Sequence, residues 1–300
     1  MASFSPADLG INSGVKNVVR NGAPSQTAIF TATHRAVHQI LDRPLVFEDW
    51  LAVPVLGSLP PMTLGHEWLP FNDPINREIR AAIVVRSKLA EDELYRSFAS
   101  GVRQYVILGA GFDTFAYRRI FDNTGLRIYE VDHPGMSKLK REILNRAGIS
   151  EPVNLAFAPA DFEKNQIQES LVAAGFDLTR PAFFSWLGAT MYISEVALVN
   201  ALNFISGMPR GTAVMFDYQP SLDCQGQLEA VASQAIRGLA ESVGEPMISF
   251  YTPQVLQNML CKMGFRDIEI WGPEDLNRKY LFRRKDGFSD RRDRIMCARI

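Results

Sequence analysis

The chain predicts an α/β fold: a mainly parallel, Rossmann-like seven-stranded sheet with helices on both faces, preceded by a helical N-terminal lid. Three observations carry this expectation. After Gly101 short β-rich runs alternate with helical stretches, a glycine turn (GAGFDT) breaks the first run, and an acidic residue ends the second. Strict alternation of strand and helix implies right-handed crossovers, and so parallel strands covered on both faces.

Residues 1–26 are polar with scattered Gly, Ser and Asn, which reads as a mobile arm. From Thr27 a helical rhythm begins, with Ala28, Ile29, Ala32, Ala36, Val37, Ile40 and Leu41 recurring until Pro44 stops the run. Residues 44–75 are rich in Pro, Gly and Leu without periodicity, so irregular structure is expected there. Helix returns over 76–98, where Ile79, Ala82, Ile83, Leu89 and Leu94 form an apolar side. Strands are expected at Gln104–Leu108, 126–131, 155–159, 182–187 and 212–216, with helices over about 134–147, 164–174 and 194–206. A polar insert occupies about 219–250, a helix about 253–263, and Arg266–Trp271 and 294–300 close the sheet. The charged run KYLFRRKDGFSDRRDR between these last strands reads as a solvated hairpin connection. The organisation is then an arm and helical lid over 1–100 and a core over 101–300 carrying a lid insert at about 219–250.

A hydrophobic content of 47% over 300 residues fills a real core and excludes disorder as the main state. Formal charge is −1, with 32 basic against 33 acidic residues, so no global field draws nucleic acid or an anionic membrane, and a small-molecule partner is the more natural expectation. Cys224, Cys261 and Cys297 show no metal-ligand spacing, which suits a reducing compartment. Neither the N-terminus nor any later stretch has the apolar length of a signal peptide or membrane helix, and the expected location is the cytoplasm.

In parallel sheets ligands sit beyond the carboxyl ends of the strands, where a glycine turn admits them close to the backbone. Gly109, Ala110 and Gly111 occupy that place, followed by Asp113 at the expected start of a helix. Asp132, some twenty residues on and ending the second strand, is placed to accept ribose hydroxyls, with Glu130 as the competing choice on the same side of the strand. A dinucleotide enzyme would want a third glycine where Thr114 stands, and Asp113 would repel a pyrophosphate. S-adenosyl-L-methionine has no phosphate and carries a cationic sulfonium and amino group that Asp113 would attract. The charge argument therefore favours this methyl donor over NAD.

The segments HRAVHQILDRPLVFED, REIRAAIVVRSKLAEDEL, RQYVILGAGFDTFAYR, YEVDHPGMSKLKREIL, APADF and FFSWLGATMYIS, in this order and spacing, resemble the leucine carboxyl methyltransferase family, including bacterial polyketide O-methyltransferases and mycobacterial relatives grouped with it. The resemblance implies a class I methyltransferase fold, S-adenosyl-L-methionine as cofactor, and methyl transfer to oxygen. It further implies that Arg86 meets the cofactor's carboxylate, Gly109 its amino-acid portion and Asp132 its ribose, while Asp161 and Phe162 flank the adenine. The family often carries an acidic residue in the loop after the fourth strand, where this chain reads SWLGATMY; the contact there falls to backbone or to Ser185 beside Leu187. Tyr192 is implied to face the acceptor.

For the acceptor, Phe47, Trp50, Trp68, Phe71, Tyr218 and Leu222 in the lid segments suit an apolar or aromatic small molecule, and a hydroxyl or phenol is the preferred acceptor group. A hydroxyl would profit from a general base, which the lid region offers through His34, His38 or His66, with His38 as the catalytic candidate. A carboxylate acceptor would need none. His34 and His38 stand four apart, but no third ligand is evident, so no metal is expected. The alternatives are a protein or peptide carboxyl methyltransferase and a non-catalytic cofactor-binding relative.

Overall fold

The computed structural model of the chain describes residues 25–58 and 71–300. Among them lies one seven-stranded sheet, built from β1 (Gln104–Leu108), β2 (Arg127–Val131), β3 (Leu155–Phe157), β4 (Phe183–Trp186), β5 (Ala213–Asp217), β6 (Arg266–Trp271) and β7 (Ile295–Arg299), in the order β3-β2-β1-β4-β5-β7-β6. Strands β1 to β5 run parallel; β7 pairs antiparallel with both β5 and β6. The inner strands β1, β4 and β5 are buried along their whole length, which is why their sequences are mostly apolar without alternation.

Two apolar layers sandwich the sheet. One is formed by α1 (Gln26–Leu41), α3 (Pro74–Ala99) and α4 (Pro134–Arg146); the other by α5 (Ile167–Ala173), α6 (Glu195–Ser206) and α8 (Pro253–Lys262). The helix starts are encoded locally. Ser25 caps α1 through the Ala28 amide, Asp73 caps α3 ahead of Pro74, Ser194 caps α6, and Thr252 caps α8 ahead of Pro253. Helix α3 has Val84, Leu89 and Leu94 fully buried in the first layer, so residues 74–99 are part of the wall of the core.

Three expectations are corrected. No α-helix follows the glycine turn: the link from β1 to β2 holds only a 3₁₀ turn, Ala116–Arg118, which ends where Arg119 takes a left-handed φ of 55°. Asp113 accepts the Phe115 amide, and Thr114 is drawn into contacts with α1 and the segment after it, so the chain is turned away from helical continuation. The link from β6 to β7 is not a solvated hairpin: it forms α9 (Pro273–Leu276) and a π-helical turn (Asn277–Leu281), and buries Leu276, Leu281 and Phe288. Finally, residues 44–75 contain a short helix, α2 (Ala52–Gly57), and the polar insert carries a four-turn helix, α7 (Gln227–Ser242). The N-terminal arm before Ser25, and His66 and Trp68 of the lid, lie outside the described residues. Among the described residues no helix is long and apolar enough to cross a membrane.

Candidate active site

A cavity of about 910 Å³ opens beyond the carboxyl ends of β1, β2 and β4. Its floor is the glycine turn. Gly109 and Gly111 have φ values of 65° and 46°, and a Cβ on Gly109 would stand 2.8 Å from the Cβ of Ala189, so only glycine lets this turn close against the loop after β4. Gly109, Ala110 and Gly111 all line the cavity. Asp132, just past β2, lines it too: one oxygen accepts the Gly111 amide at 2.6 Å, the other the His133 amide at 2.7 Å. Burial raises the Asp132 pKa, against these two amides, which favour the charged form.

The remaining walls come from four elements. Arg86 enters from α3, with Nη1 2.8 Å from the Asp217 carboxylate at the end of β5. Ser185 of β4 shares a 2.8 Å hydrogen bond with the Tyr105 hydroxyl, and Leu187 follows it on the lining. Asp161 caps the short turn after β3 through the Glu163 amide and pairs with Lys164 at 3.2 Å; Phe162 beside it stacks on Trp186, centroids 5.3 Å apart. Tyr192 stands opposite, with its hydroxyl pushed above the usual tyrosine range by burial and by the Glu245 charge, while a hydrogen bond with Thr27 and the Arg86 charge pull the other way. It is a hydrogen-bonding group at neutral pH, not a base.

The roof joins two segments distant in sequence. Thr27, Ala28, Thr31, Ala32 and Arg35 from α1 meet Val243, Gly244, Glu245 and Ile248 from the segment after α7. The Glu245 carboxylate accepts from Ser25 Oγ at 3.0 Å, from the amides of Gln26 and Thr27 at 2.7 and 3.1 Å, and from Thr27 Oγ1 at 2.5 Å. It thus occupies the N-terminus of α1, where orphan amides favour an anion.

Below the roof Arg35 ties the lid helix to the glycine turn. It donates to Asp49 through Nε and Nη2, to Thr114 Oγ1 at 3.1 Å and to Asp113 at 2.9 Å. Burial alone would raise the Asp113 pKa; the Arg35 and Lys140 charges, the Phe115 amide and the Arg118 charge together lower it. Asp113 faces the cavity as an ionised group, but its charge is shared with Arg35 and is not free for a ligand alone. Across the described lining, Glu91, Asp113, Asp132, Asp161, Glu163 and Glu245 outweigh Arg35, Arg86 and Lys164, a balance that suits a ligand with net positive charge.

Several expected site residues stand elsewhere. His38 is fully buried away from the cavity: Nε2 accepts the Val46 and Phe47 amides, so Nδ1 carries the proton and donates to Asp42 at 2.8 Å, with the ring stacked on Phe288. Both nitrogens are committed to holding the turn after α1, and His38 is withdrawn as a catalytic candidate. His34 lies against Phe30 and Phe71, also outside the lining. Glu130 is buried against Lys140 at 2.7 Å and does not reach the cavity. Phe47, Trp50, Phe71, Tyr218 and Leu222 do not line it either: Phe47 packs beneath the guanidinium groups of Arg35 and Arg118, and Trp50 is 56% exposed. The apolar lining is supplied by Ile107, Phe112, Phe115, Met136, Ile193 and Ile248. Sequence reasoning missed Arg35, Tyr105, Gly188, Asp217 and Glu245. Asp217 had a usable signal, since it ends a strand on the same edge as Asp132.

Comparison with known proteins places the chain in a family and a fold. Residues 28–206 match the family model described as leucine carboxyl methyltransferase. The chain is 29% identical over 292 residues to YktD of Bacillus subtilis, named as a candidate S-adenosyl-L-methionine-dependent methyltransferase, covering 90% of this chain and 96% of that one. A similarly named protein of Frankia alni is 30% identical over 72% of this chain and 75% of its own length. Among solved structures, a candidate methyltransferase from Thermobifida fusca superposes with a TM-score of 0.54 at 13% identity, over 93% of this chain and 95% of that one, and shows the same fold. The glycine turn and Asp132 both fall within the matched span, which covers more than half of the chain, and the chain belongs to the leucine carboxyl methyltransferase family.

Proposed function

We propose that this chain transfers a methyl group from S-adenosyl-L-methionine to an oxygen of a small, largely apolar molecule. The carrying observation is the single cavity that gathers Arg86, the bare backbone of Gly109 to Gly111, Asp132 and Tyr192 around one space. The residues fit the donor. Gly109 leaves no room for a side chain, Asp132 stands at the open end of β2, and the lining carries more carboxylate than cationic charge. Arg86 would hold the donor's carboxylate, Gly109, Ala110 and Gly111 its amino-acid portion, Asp132 its ribose, and Asp161 and Phe162 its adenine, with Ser185 and Leu187 closing the side wall; Asp113 would face the cationic end. When bound, the donor supplies an electrophilic methyl on a sulfonium, displaced in line by the acceptor.

The chain's own contribution is alignment and exclusion of water. The roof of α1 and residues 243–248 screens the space, and Tyr192, held protonated, donates to the acceptor or orients it. Each carboxylate of the described lining already has a hydrogen-bond or ion partner, His133 of the lining accepts the Gly135 amide at Nδ1, and His38 is elsewhere. This supports an acceptor oxygen that is ionised without help, a carboxylate, over the hydroxyl or phenol preferred from the lid aromatics. Calorimetry with S-adenosyl-L-homocysteine tests the donor site. Incubation with a panel of carboxylic acids and phenols, read by mass and by lability of the product to mild alkali, tests the acceptor; methylation of nitrogen or carbon alone would overturn oxygen transfer.

A further inference from the structure

Asp217 is 3% exposed and does not line the cavity, yet it bonds two residues that do, Arg86 and Gly188, and a third, Thr190, behind them. One carboxylate oxygen lies 2.8 Å from Arg86 Nη1, the other accepts the Gly188 amide at 2.7 Å, and its backbone carbonyl accepts from Thr190 Oγ1. It therefore binds α3 to the loop after β4 from behind. Gly188 completes the grip: its φ is +70°, and a Cβ there would stand 2.8 Å from Arg86 Nη2, so the guanidinium lies against bare backbone. Two further buried carboxyls, Asp290 and Asp293, face the same arginine from the link before β7, each with one oxygen lacking a hydrogen-bond partner. Burial and the neighbouring Asp290 charge push Asp293 well above the ordinary carboxylate range, which leaves Asp217 as the directly bonded counter-charge of Arg86.

We propose that Asp217 is a positioning residue for the methyl donor: with Gly188 it fixes the Arg86 guanidinium so that the edge not bonded to Asp217 is preset toward the donor's carboxylate. The inference rests on the reading that Arg86 meets that carboxylate. The reasoning is entropic and geometric. An arginine free to sample its rotamers must be ordered when a ligand binds, whereas one clamped on both sides presents its fork already aligned.

The test compares two ligands, S-adenosyl-L-homocysteine and 5′-methylthioadenosine, which keeps the nucleoside but lacks the amino-acid portion. Calorimetry is run on the wild-type chain, Asp217→Asn, Gly188→Ala and Arg86→Met. Asp217→Asn is expected to weaken S-adenosyl-L-homocysteine by roughly tenfold while leaving 5′-methylthioadenosine within about twofold, because only the former has a carboxylate to meet. Gly188→Ala, which leaves the charge intact and displaces the guanidinium, is expected to produce the same selective loss. A purely structural role would weaken both ligands alike or lower only the melting temperature, and that result in both variants overturns the proposal. If Asp217→Asn does not fold, Gly188→Ala decides on the same criterion. Arg86→Met separates the two levels of inference. Equal losses for both ligands there refute the Arg86 reading and the proposal with it; a selective loss in Arg86→Met with none in Asp217→Asn or Gly188→Ala overturns the proposal alone.

Discussion

Replacing Asp132 with alanine isolates the ribose contact from the rest of the donor site. An ionised carboxylate has about four acceptor positions. Two are used by the Gly111 and His133 amides, which leaves capacity for two hydroxyls. Hydrogen bonds to a charged group contribute about 1.5 to 3 kcal/mol, so the expected loss in affinity for S-adenosyl-L-homocysteine runs from roughly tenfold to somewhat over a hundredfold. The two amides lose their acceptor as well, but Gly111 and His133 both line the cavity, where solvent can replace it in the ligand-free chain, so unfolding free energy should change by no more than about 1 kcal/mol. Asp132→Asn should fall between wild type and alanine, since it keeps one acceptor oxygen and gains a donor. Calorimetry measures the affinities and a denaturant titration the stability. Unchanged affinity in Asp132→Ala refutes the ribose assignment, whereas a large stability loss matched by equal weakening of every ligand shows a turn residue and nothing more.

Three further outcomes follow from the geometry. His38→Ala should lower unfolding free energy by about 2 to 4 kcal/mol, by stripping the Val46 and Phe47 amides and Asp42 of a partner, while the pH dependence of single-turnover methyl transfer stays that of wild type; a lost limb would return His38 to the chemistry. Burial, helped by the Arg80 charge, lowers the His34 pKa from 6.5 to about 3. The unfolded chain therefore takes up this proton first as pH falls. The contribution is complete above pH 6.5 and is lost toward pH 3, with a slope of up to about 1.4 kcal/mol per pH unit that His34→Phe should remove from the denaturation curves. Glu245→Ala deletes the acceptor of four donors at the start of α1; faster hydrogen exchange in the first turn of α1 and faster release of S-adenosyl-L-homocysteine are expected, and unchanged exchange would refute the clasp.

The parts of this molecule legible in its sequence are those whose cause is local. Strands β1, β4 and β5 are buried on both faces and so are largely apolar without alternation; α1 and α3 carry helical apolar spacing, although residues 32–38 and 80–85 are buried on every side. The glycine turn and Asp132 could be paired because one crossover and the strand after it, some twenty residues, separate them, and Gly111 does bond Asp132. What escaped depends on distant partners. The run FDTFAYR after Gly111 has the apolar spacing of a helix, yet Arg35 and Asp49 hold Thr114 from outside it. The dense charge before β7 looks like a solvated loop, but Phe288 is covered by the Arg80 and Arg284 guanidinium groups and Asp290 is bonded to Asn277. Asp217 and Glu245 reach partners 131 and 218 residues away, and no spacing rule spans such gaps. The lid aromatics misled for a simpler reason: hydrophobic side chains beside a cavity are as readily used to support its wall as to line it.

The 3₁₀ turn that stands where a helix was expected after β1 matters for charge as well as shape. A full helix would aim about half a positive charge from its first amides at whatever sits on the glycine turn, an invitation to phosphate. Here the Phe115 amide at that place is already taken by Asp113, and Thr114 braces Asp49 and Arg35. Restoring a third glycine at Thr114 would therefore remove a strut between lid and floor without creating a seat for a pyrophosphate. The distance between a methyl-donor pocket and a dinucleotide pocket is, in this chain, a missing secondary-structure element and not a missing motif.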